Sequence, residues 1–482
     1  MSARRLLVAI GLLCCPPAVP AAVLDTLGIF PADPLKTMPP VIGSGAVLPD
    51  DGAPVSCPVS KDFTLPLALN EAVDLALCSN PQIRMAWAGI KVKAGALGEA
   101  RAAYFPTLSA TANRLRTHNS YPDLGVPSST TYGNTVNGTL SWRLFDFGAR
   151  EANREAANRL LIAAIAHHDV ALQKTLASVI QSYFDAQTAQ VALQAKEQNE
   201  TITRSMFDST QRRAARGVVA RSDTLQAATA LAKATLEKSR AQGTYQKSLG
   251  VLIYALGISP QTRIVLADDV QDGQRENNQE PRTSRSLQDW LELAQQSHPA
   301  IVAARAEWEA SQQKAKATRS EGLPTADLSV NYYQNGFPNQ GVSATKSQQT
   351  TVGVSISVPF FDGFSHAYKV KGALAQAEQR QAQLQDTEQD VLMEVVKAHA
   401  DATAALDNLQ ASENLLAAAQ ESVDTSQRKY EKGAADIQEI LNTLTALFDA
   451  QEERIRSLAD WRSTRLRLLA SVGAMNRAAA GR

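Results

Sequence analysis

The chain carries one long message written twice. Asn80-Pro81 opens a helix-forming stretch that ends at Tyr104-Phe105-Pro106-Thr107-Leu108, and His298-Pro299 opens another that ends at Leu323-Pro324-Thr325-Ala326-Asp327. Leu144-Phe145-Asp146-Phe147-Gly148 returns as Phe360-Phe361-Asp362-Gly363-Phe364, Arg216-Gly217 as Lys432-Gly433, and Leu256-Gly257 as Val472-Gly473. From the aspartate onward the offset between the copies is constant, and the prolines ahead of it are offset by two positions more. Solenoid repeats recur at roughly 20–50 residues, so a period spanning nearly half the chain is a duplicated half-molecule. Whatever one half builds the other is expected to build again, the two related by a pseudo-twofold.

The N-terminus reads as a secretory signal over residues 1–21, with Arg4 and Arg5 as the charged region, Leu6 to Leu13 as the apolar run and Val19-Pro20-Ala21 at the cleavage site. Cys14 and Cys15 open a lipoprotein alternative, for which Leu13 and Cys14 are poor preceding residues. No later stretch has the ~20 uninterrupted apolar residues of a spanning helix. With 48 Lys and Arg against 48 Asp and Glu the formal charge is zero, so nothing electrostatic points to nucleic acid as a partner. Removal of the signal leaves Cys57 and Cys78. In an oxidising compartment these either pair, tying the N-terminal extension to the first helix, or remain two thiols. The expected organisation is a Pro-rich extension over 22–62, a first repeat over 63–257, a polar linker over 258–284, a second repeat over 285–474 and a tail over 475–482.

Between the Pro-containing motif and the aspartate, each half holds two segments of period-two alternation. Val136, Gly138, Leu140, Trp142 and Leu144 share one face, with Thr135, Asn137, Thr139, Ser141 and Arg143 on the other. In the second half Val352, Val354, Ile356, Val358 and Phe360 oppose Thr351, Gly353, Ser355 and Ser357. Leu328, Val330 and Tyr332 follow the same rule, and Leu108, Ala110 and Ala112 a weaker version of it. One such strand would be an ordinary half-buried sheet. Four of matched length, as two hairpins, fit outer-membrane barrel strands, with polar loops 117–134 and 334–349 facing the exterior. Four strands cannot close a barrel, and lipid does not tolerate an open edge. Oligomerisation is therefore expected, two copies giving eight strands and three giving twelve.

After Gly148 nothing breaks the helical pattern until Gly217, nor after Gly363 until Gly433. Roughly 70 residues at 1.5 Å each make a rod of about 100 Å. The second rod carries a 3-4 spacing at Leu374, Ala377, Gln381, Leu384, Glu388, Val391, Val395, Ala398, Ala402, Ala405, Leu409, Ser412, Leu416, Ala419 and Val423. Twelve of these fifteen are apolar, which makes a coiled-coil seam. The first rod repeats it at Leu161, Ile165, His168, Leu172, Val179, Ala186, Ala189 and Leu193. The many alanines allow close approach on two sides, as in a wall of helices. Beyond each glycine the chain runs back, through Leu225 to Leu256 and through Leu441 to Val472.

Signal, duplication, two strand hairpins and two long helical hairpins together resemble the TolC family of outer-membrane factors over residues 63–474. The resemblance implies an α+β membrane protein of the Gram-negative outer membrane: a homotrimer whose twelve-stranded barrel, set in outer-membrane lipid, continues as an α-helical periplasmic tunnel. It further implies docking on a periplasmic adaptor and on an inner-membrane ABC or proton-driven transporter, which powers export. In such proteins the tunnel entrance lies at the hairpin turns, here Gly217 and Gly433. By the same resemblance Asp223 and Tyr430 match a hydrogen-bonded latch, Glu439 and Asn442 match a constriction, and Ala435 stands where an Arg extends the network, leaving Arg221 or Arg428 to substitute. Glu439 implies a cation-preferring ring, Asn442 a neutral one. A solvated surface charge is the bland alternative for Glu439.

No His-Glu-x-x-His, paired Cys-x-x-Cys, phosphate loop or Gly-x-Ser-x-Gly elbow occurs, and His167 and His168 point to different helix faces. Asp146 and Asp362 are expected to cap the helices that follow them. No enzyme and no cofactor are expected. The cargo reading favours type I secretion of protein, with exporters of adenylate cyclase-haemolysin and related RTX toxins as the candidate type. Small-molecule efflux is the alternative, and a periplasmic adaptor or structural coiled-coil protein a second one.

Overall fold

The computed structural model describes residues 65–121, 123, 125–267, 285–335, 347–432 and 434–474. The elements run α1 (Leu69–Ser79), α2 (Pro81–Ala102), β1 (Thr107–Tyr121), β2 (Val126–Phe145), α3 (Ala149–Ala215) and α4 (Arg221–Leu256) in the first half. The second half repeats them as α5 (Leu287–Ser297), α6 (Pro299–Ser320), β3 (Thr325–Asn335), β4 (Ser347–Ser357), α7 (Ser365–Glu431) and α8 (Ile437–Ser471). The chain divides into two units. One comprises Lys91–Phe145 with Thr325–Ser357 and holds the sheet; the other holds the long helices.

The sheet is antiparallel in the order β1-β2-β3-β4, and among the described residues β1 and β4 are open edges. Its register aligns the alternation of all four strands. Leu108 pairs with Leu140, Leu140 with Val330 and Val330 with Val352, so the four apolar rows fall on one face. That face is uncovered: Val352, Val354 and Ile356 are 63–72% exposed. The opposite face is polar and cross-linked. Arg143 Nε donates to Asp327 Oδ1 at 3.0 Å and Thr139 Oγ1 to Asn331 Oδ1 at 2.9 Å, each pair directly opposed in the register.

Two expectations about the strands are corrected. They are not of matched length: β1 and β2 have 15 and 20 residues against 11 each for β3 and β4. Most of 117–134, expected as loop, is strand, because Thr, Tyr and Val favour extended backbone even where no apolar row is present. β1 ends at Tyr121 and β2 begins at Val126, with Gly125 between them at φ +59°. Loop 336–346 lies outside the described residues.

In the helical unit the seam is buried along most of α7, at Leu384, Val395, Ala398, Ala405, Leu409, Ser412, Ala419 and Val423, while Leu374 is exposed. On α3 the seam is likewise buried at His168, Leu172, Val179, Ala186 and Ala189, Ile165 being exposed. α3 packs on α4 and α6, and α7 packs on α8 and α6. Glu307 of α6 ties both rods, with one oxygen 2.8 Å from His167 Nε2 and the other 2.9 Å from Arg380 Nη1.

The repeated punctuation is where each half closes on itself. Asn80 Oδ1 accepts from the Gln82 N–H at 2.8 Å, while its Nδ2 donates to Ala255 O at 2.9 Å. A Cβ on Gly257 (φ +71°) would stand 2.9 Å from Asn80 Cα, so that contact requires glycine. In the second half His298 Nδ1 accepts from the Ala300 N–H at 3.2 Å, and Gly473 meets Pro299 and His298 in the same way. Asp146 caps α3 from just before its first turn, accepting from Gly148 N–H at 3.2 Å and Arg150 N–H at 3.1 Å. Asp362 accepts from His366 N–H at 2.6 Å. Both aspartates therefore cap, as expected.

Within 258–284, read as linker, Ile264 and Leu266 are buried and Leu266 bridges to Leu67. Those residues join the core around Tyr183, whose hydroxyl donates to Leu67 O at 3.0 Å. Cys78 is half-buried at the end of α1 and disulfide-bonded. Cys57 lies outside the described residues.

Candidate tunnel entrance

Both rods end in the same backbone closure between flanking residues. Gly217 adopts φ +75°, its N–H donates to Ala214 O at 2.9 Å, and Val218 N–H reaches back to Arg213 O at 3.0 Å. This is the six-to-one closure that satisfies helix-end carbonyls when a left-handed residue follows. Ala434 N–H makes the equivalent bond to Lys429 O at 2.8 Å. Gly433 itself lies outside the described residues.

The return helices start differently. Asp436 caps α8, its Oδ1 accepting from Glu439 N–H at 2.8 Å. Ala220, its counterpart in the first half, caps α4 with no side-chain bond. Glu439 is directed back across the turn, and Lys429 Nζ sits 3.3 Å from its Oε1. Asn442 Oδ1 accepts from Gln438 Nε2 at 3.0 Å. The carboxylate offered as a constriction thus has a cation of its own chain beside it, which sequence reasoning did not include.

The expected Asp223–Tyr430 bond is not made in this chain. Among the described residues the Tyr430 hydroxyl is buried without a hydrogen-bond partner, and its ring packs against the α7–α8 core that holds Val423 and Ile440. Arg213 instead lays its guanidinium over that ring, 4.7 Å from the centroid. Asp223 Oδ1 accepts from Ser222 Oγ at 3.1 Å. Arg428 bonds Thr425 of its own helix at 3.4 Å. Arg213 is marked in the sequence as a cation beside the turn, though its contact with the ring is not. It is the first-half counterpart of Lys429, just as Asp223 is the counterpart of Glu439. The second half keeps this cation–carboxylate pair across its own turn, whereas in the first half the cation crosses to the aromatic ring of the other hairpin, an attraction worth about 0.5–2 kcal/mol.

Further from the turns the first hairpin has a charged interior. Glu200 receives Lys238 Nζ at 2.7 Å, Arg204 Nη2 at 2.8 Å and Thr235 Oγ1 at 3.1 Å. Hydrogen bonds from Lys238 and then Arg204 hold its carboxyl at about 2, against an ordinary 4.5. Among the described residues no group of His, Cys, Asp and Glu has metal-binding geometry.

With this geometry, comparison with known proteins is direct. The family profile described as "Outer membrane efflux protein" matches residues 72–258 and 290–474. The chain is 34% identical to Protein CyaE of Bordetella pertussis over 450 residues, covering 93% of this chain and 92% of that one. It is 25% identical to the alkaline protease secretion protein AprF of Pseudomonas aeruginosa, over 87% of each. Among solved structures, the outer membrane protein VceC of Vibrio cholerae superposes with a TM-score of 0.70 at 21% identity, covering 84% of this chain and 96% of that one. The chain belongs to the outer membrane efflux protein family, the TolC-type outer-membrane factors, and its place is the outer membrane.

Proposed function

We propose that this protein is the outer-membrane channel of a type I protein-secretion system. Three copies close a twelve-stranded barrel in the outer membrane, and their helices form a periplasmic tunnel that docks on an adaptor and an inner-membrane transporter. The observation that carries the reading is the sheet. It has one continuous, uncovered apolar face, a polar hydrogen-bonded opposite face and two unpaired edges. Such a surface suits lipid, and the edges need partners there. Similarity to AprF, named for secretion of alkaline protease, favours protein cargo, and an RTX-type toxin is the candidate. The protein conducts and does not catalyse. The efflux alternative rests on the description of the matching family. In the exported chain Cys57 is the proposed partner of Cys78.

Deleting the gene and assaying secreted proteins alongside drug susceptibility separates the readings. Loss of one large protein from the medium with unchanged susceptibility supports secretion; hypersensitivity to dyes and detergents with an intact secretome supports efflux. At the entrance, Glu439 and Asn442 form the proposed constriction, with Lys429 partly neutralising the carboxylate ring and the Arg213–Tyr430 contact holding the two hairpins together. Planar-bilayer recordings should show reduced cation preference for Glu439→Ala and increased preference for Lys429→Ala. Unchanged reversal potentials in both variants would remove these residues from the conduction path.

A further inference from the structure

Beyond its apolar row, β1 carries a second surface. Register is unbroken from Thr107 to Asn119, so alternate residues of β1 stay on one face. That face runs Leu108, Ala110, Ala112 and then Arg114, Arg116, His118. The last apolar pair is Ala112 with Val136; the next pair on that face, about 7 Å further along the strand, is Arg114 with Asn134. The apolar band thus changes to a basic row within one step. Arg116 lies over the ring of Tyr132, 5.6 Å from its centroid, and His118 Nδ1 is 2.8 Å from Thr130 Oγ1. Both arginines are exposed, and among the described residues neither has a carboxylate partner. The ribbon's own acid, Asp123, is at the turn beyond them. On β3 and β4 the residues at the edge of the band are Gln334 and Gln348, so among the described residues the charge at this edge belongs to the first hairpin.

We infer that Arg114 and Arg116, with Tyr132 and His118 beside them, bind the phosphate of a phosphorylated, multiply acylated lipid in the outer leaflet. The chemistry commits the site to that occupant. Two guanidiniums without carboxylates select a phosphate over a neutral headgroup, and the apolar rows directly below accept acyl chains. The row is at the β1–β2 turn end of the sheet, opposite the end where the chain enters from α2 and leaves for α3. The inference rests on the proposed membrane orientation of the sheet.

The test is native mass spectrometry of the full-length protein in detergent, titrated with bisphosphorylated lipid A and with its dephosphorylated form, alongside planar-bilayer conductance. Wild type should prefer the phosphorylated lipid by about 30-fold, from about 1 kcal/mol for each of two basic groups. Arg114→Gln with Arg116→Gln should abolish that preference, Arg114→Lys with Arg116→Lys should retain much of it, and Arg143→Gln on the opposite face should leave it intact. Wild type that conducts but binds both lipids equally overturns this inference and leaves the channel standing. Wild type that neither conducts nor inserts overturns the channel reading, and the inference with it. Should the double variant fail to assemble, the phosphate preference of wild type still decides.

Discussion

The two helical hairpins are copies in sequence order but not in how they cohere. In the α7–α8 hairpin, Leu416, Ala419 and Val423 meet Ile440, Leu444 and Leu447 in an apolar cluster. At the corresponding positions of the first half, α3 has Glu200 where α7 has Leu416, and α4 has Thr224 and Ala228 where α8 has Ile440 and Leu444. The first hairpin is accordingly joined by Glu200, Lys238, Arg204 and Thr235, and much of α4 is exposed, including Leu225, Leu236 and Val251. At this level one hairpin is held by burial and the other by a hydrogen-bonded ion cluster. Nearer its base the first hairpin too shares an apolar core, with Leu176, Val179 and Tyr183 of α3 and Leu252 and Leu256 of α4. A duplicated half can therefore keep its backbone while its interior changes from apolar to ionic. The exposed leucines of α4 are left for contact with a neighbouring copy in the proposed trimer.

The sharpest way to break the comparison is to exchange the two interiors. Leu416→Glu puts a carboxylate among the α7–α8 aliphatics, where Arg454 is already engaged with Leu409 O at 2.7 Å. We expect a loss of about 3 kcal/mol or more, read by urea unfolding of the purified protein. A neutral result would mean that this interior is not apolar in solution.

The reverse exchange, Glu200→Leu, should remove an acid-sensitive contribution from the first hairpin. The Glu200 carboxyl is depressed in the folded state, so its contribution is full above about pH 4.5 and is lost as pH falls toward about 2. Hydrogen exchange in α4 should then accelerate on acidification in wild type and change less in the variant. Equal pH dependence in both would place the acid sensitivity elsewhere.

Smaller effects are expected where the return helices begin. Asp436→Ala should cost about 1 kcal/mol by removing the α8 cap, and Ala220→Asp should stabilise α4 by up to that amount. Thermal shifts of opposite sign check the pair; shifts of the same sign would show that the two turns are not equivalent. The weakest expected difference lies where α8 ends, alongside the middle of α7. Burial lowers the His298 pKa below 6.5, and its neutral Nδ1 accepts the Ala300 N–H. The unfolded chain therefore takes up the proton first, and stability falls as pH drops below about 6.5. His298→Asn copies Asn80 of the first half and should flatten that slope in a pH series of melting temperatures.

Much of this was readable in the residues. The duplicated Asn-Pro and His-Pro starts, the aspartate caps and the glycine turns follow from local chemistry, and the seam positions are mostly buried as their spacing requires. What could not be read depends on contacts between distant segments. Thr117 to Asn134 has β-branched and aromatic residues but no apolar row, so its pairing appears only in the register. The choice of Arg213 for the Tyr430 ring, and the gathering of Lys238 onto Glu200, need two helices brought alongside each other. Family resemblance supplied Asp223 as the partner of Tyr430, and this chain uses a different residue.

The central claim is that β1 and β4, unpaired in one chain, pair between copies to close a barrel. Native mass spectrometry of the protein extracted from outer membranes tests it most directly. A complex of three chains, and hence twelve strands, is the predicted result; a monomer, or a dimer with eight strands, would contradict the account.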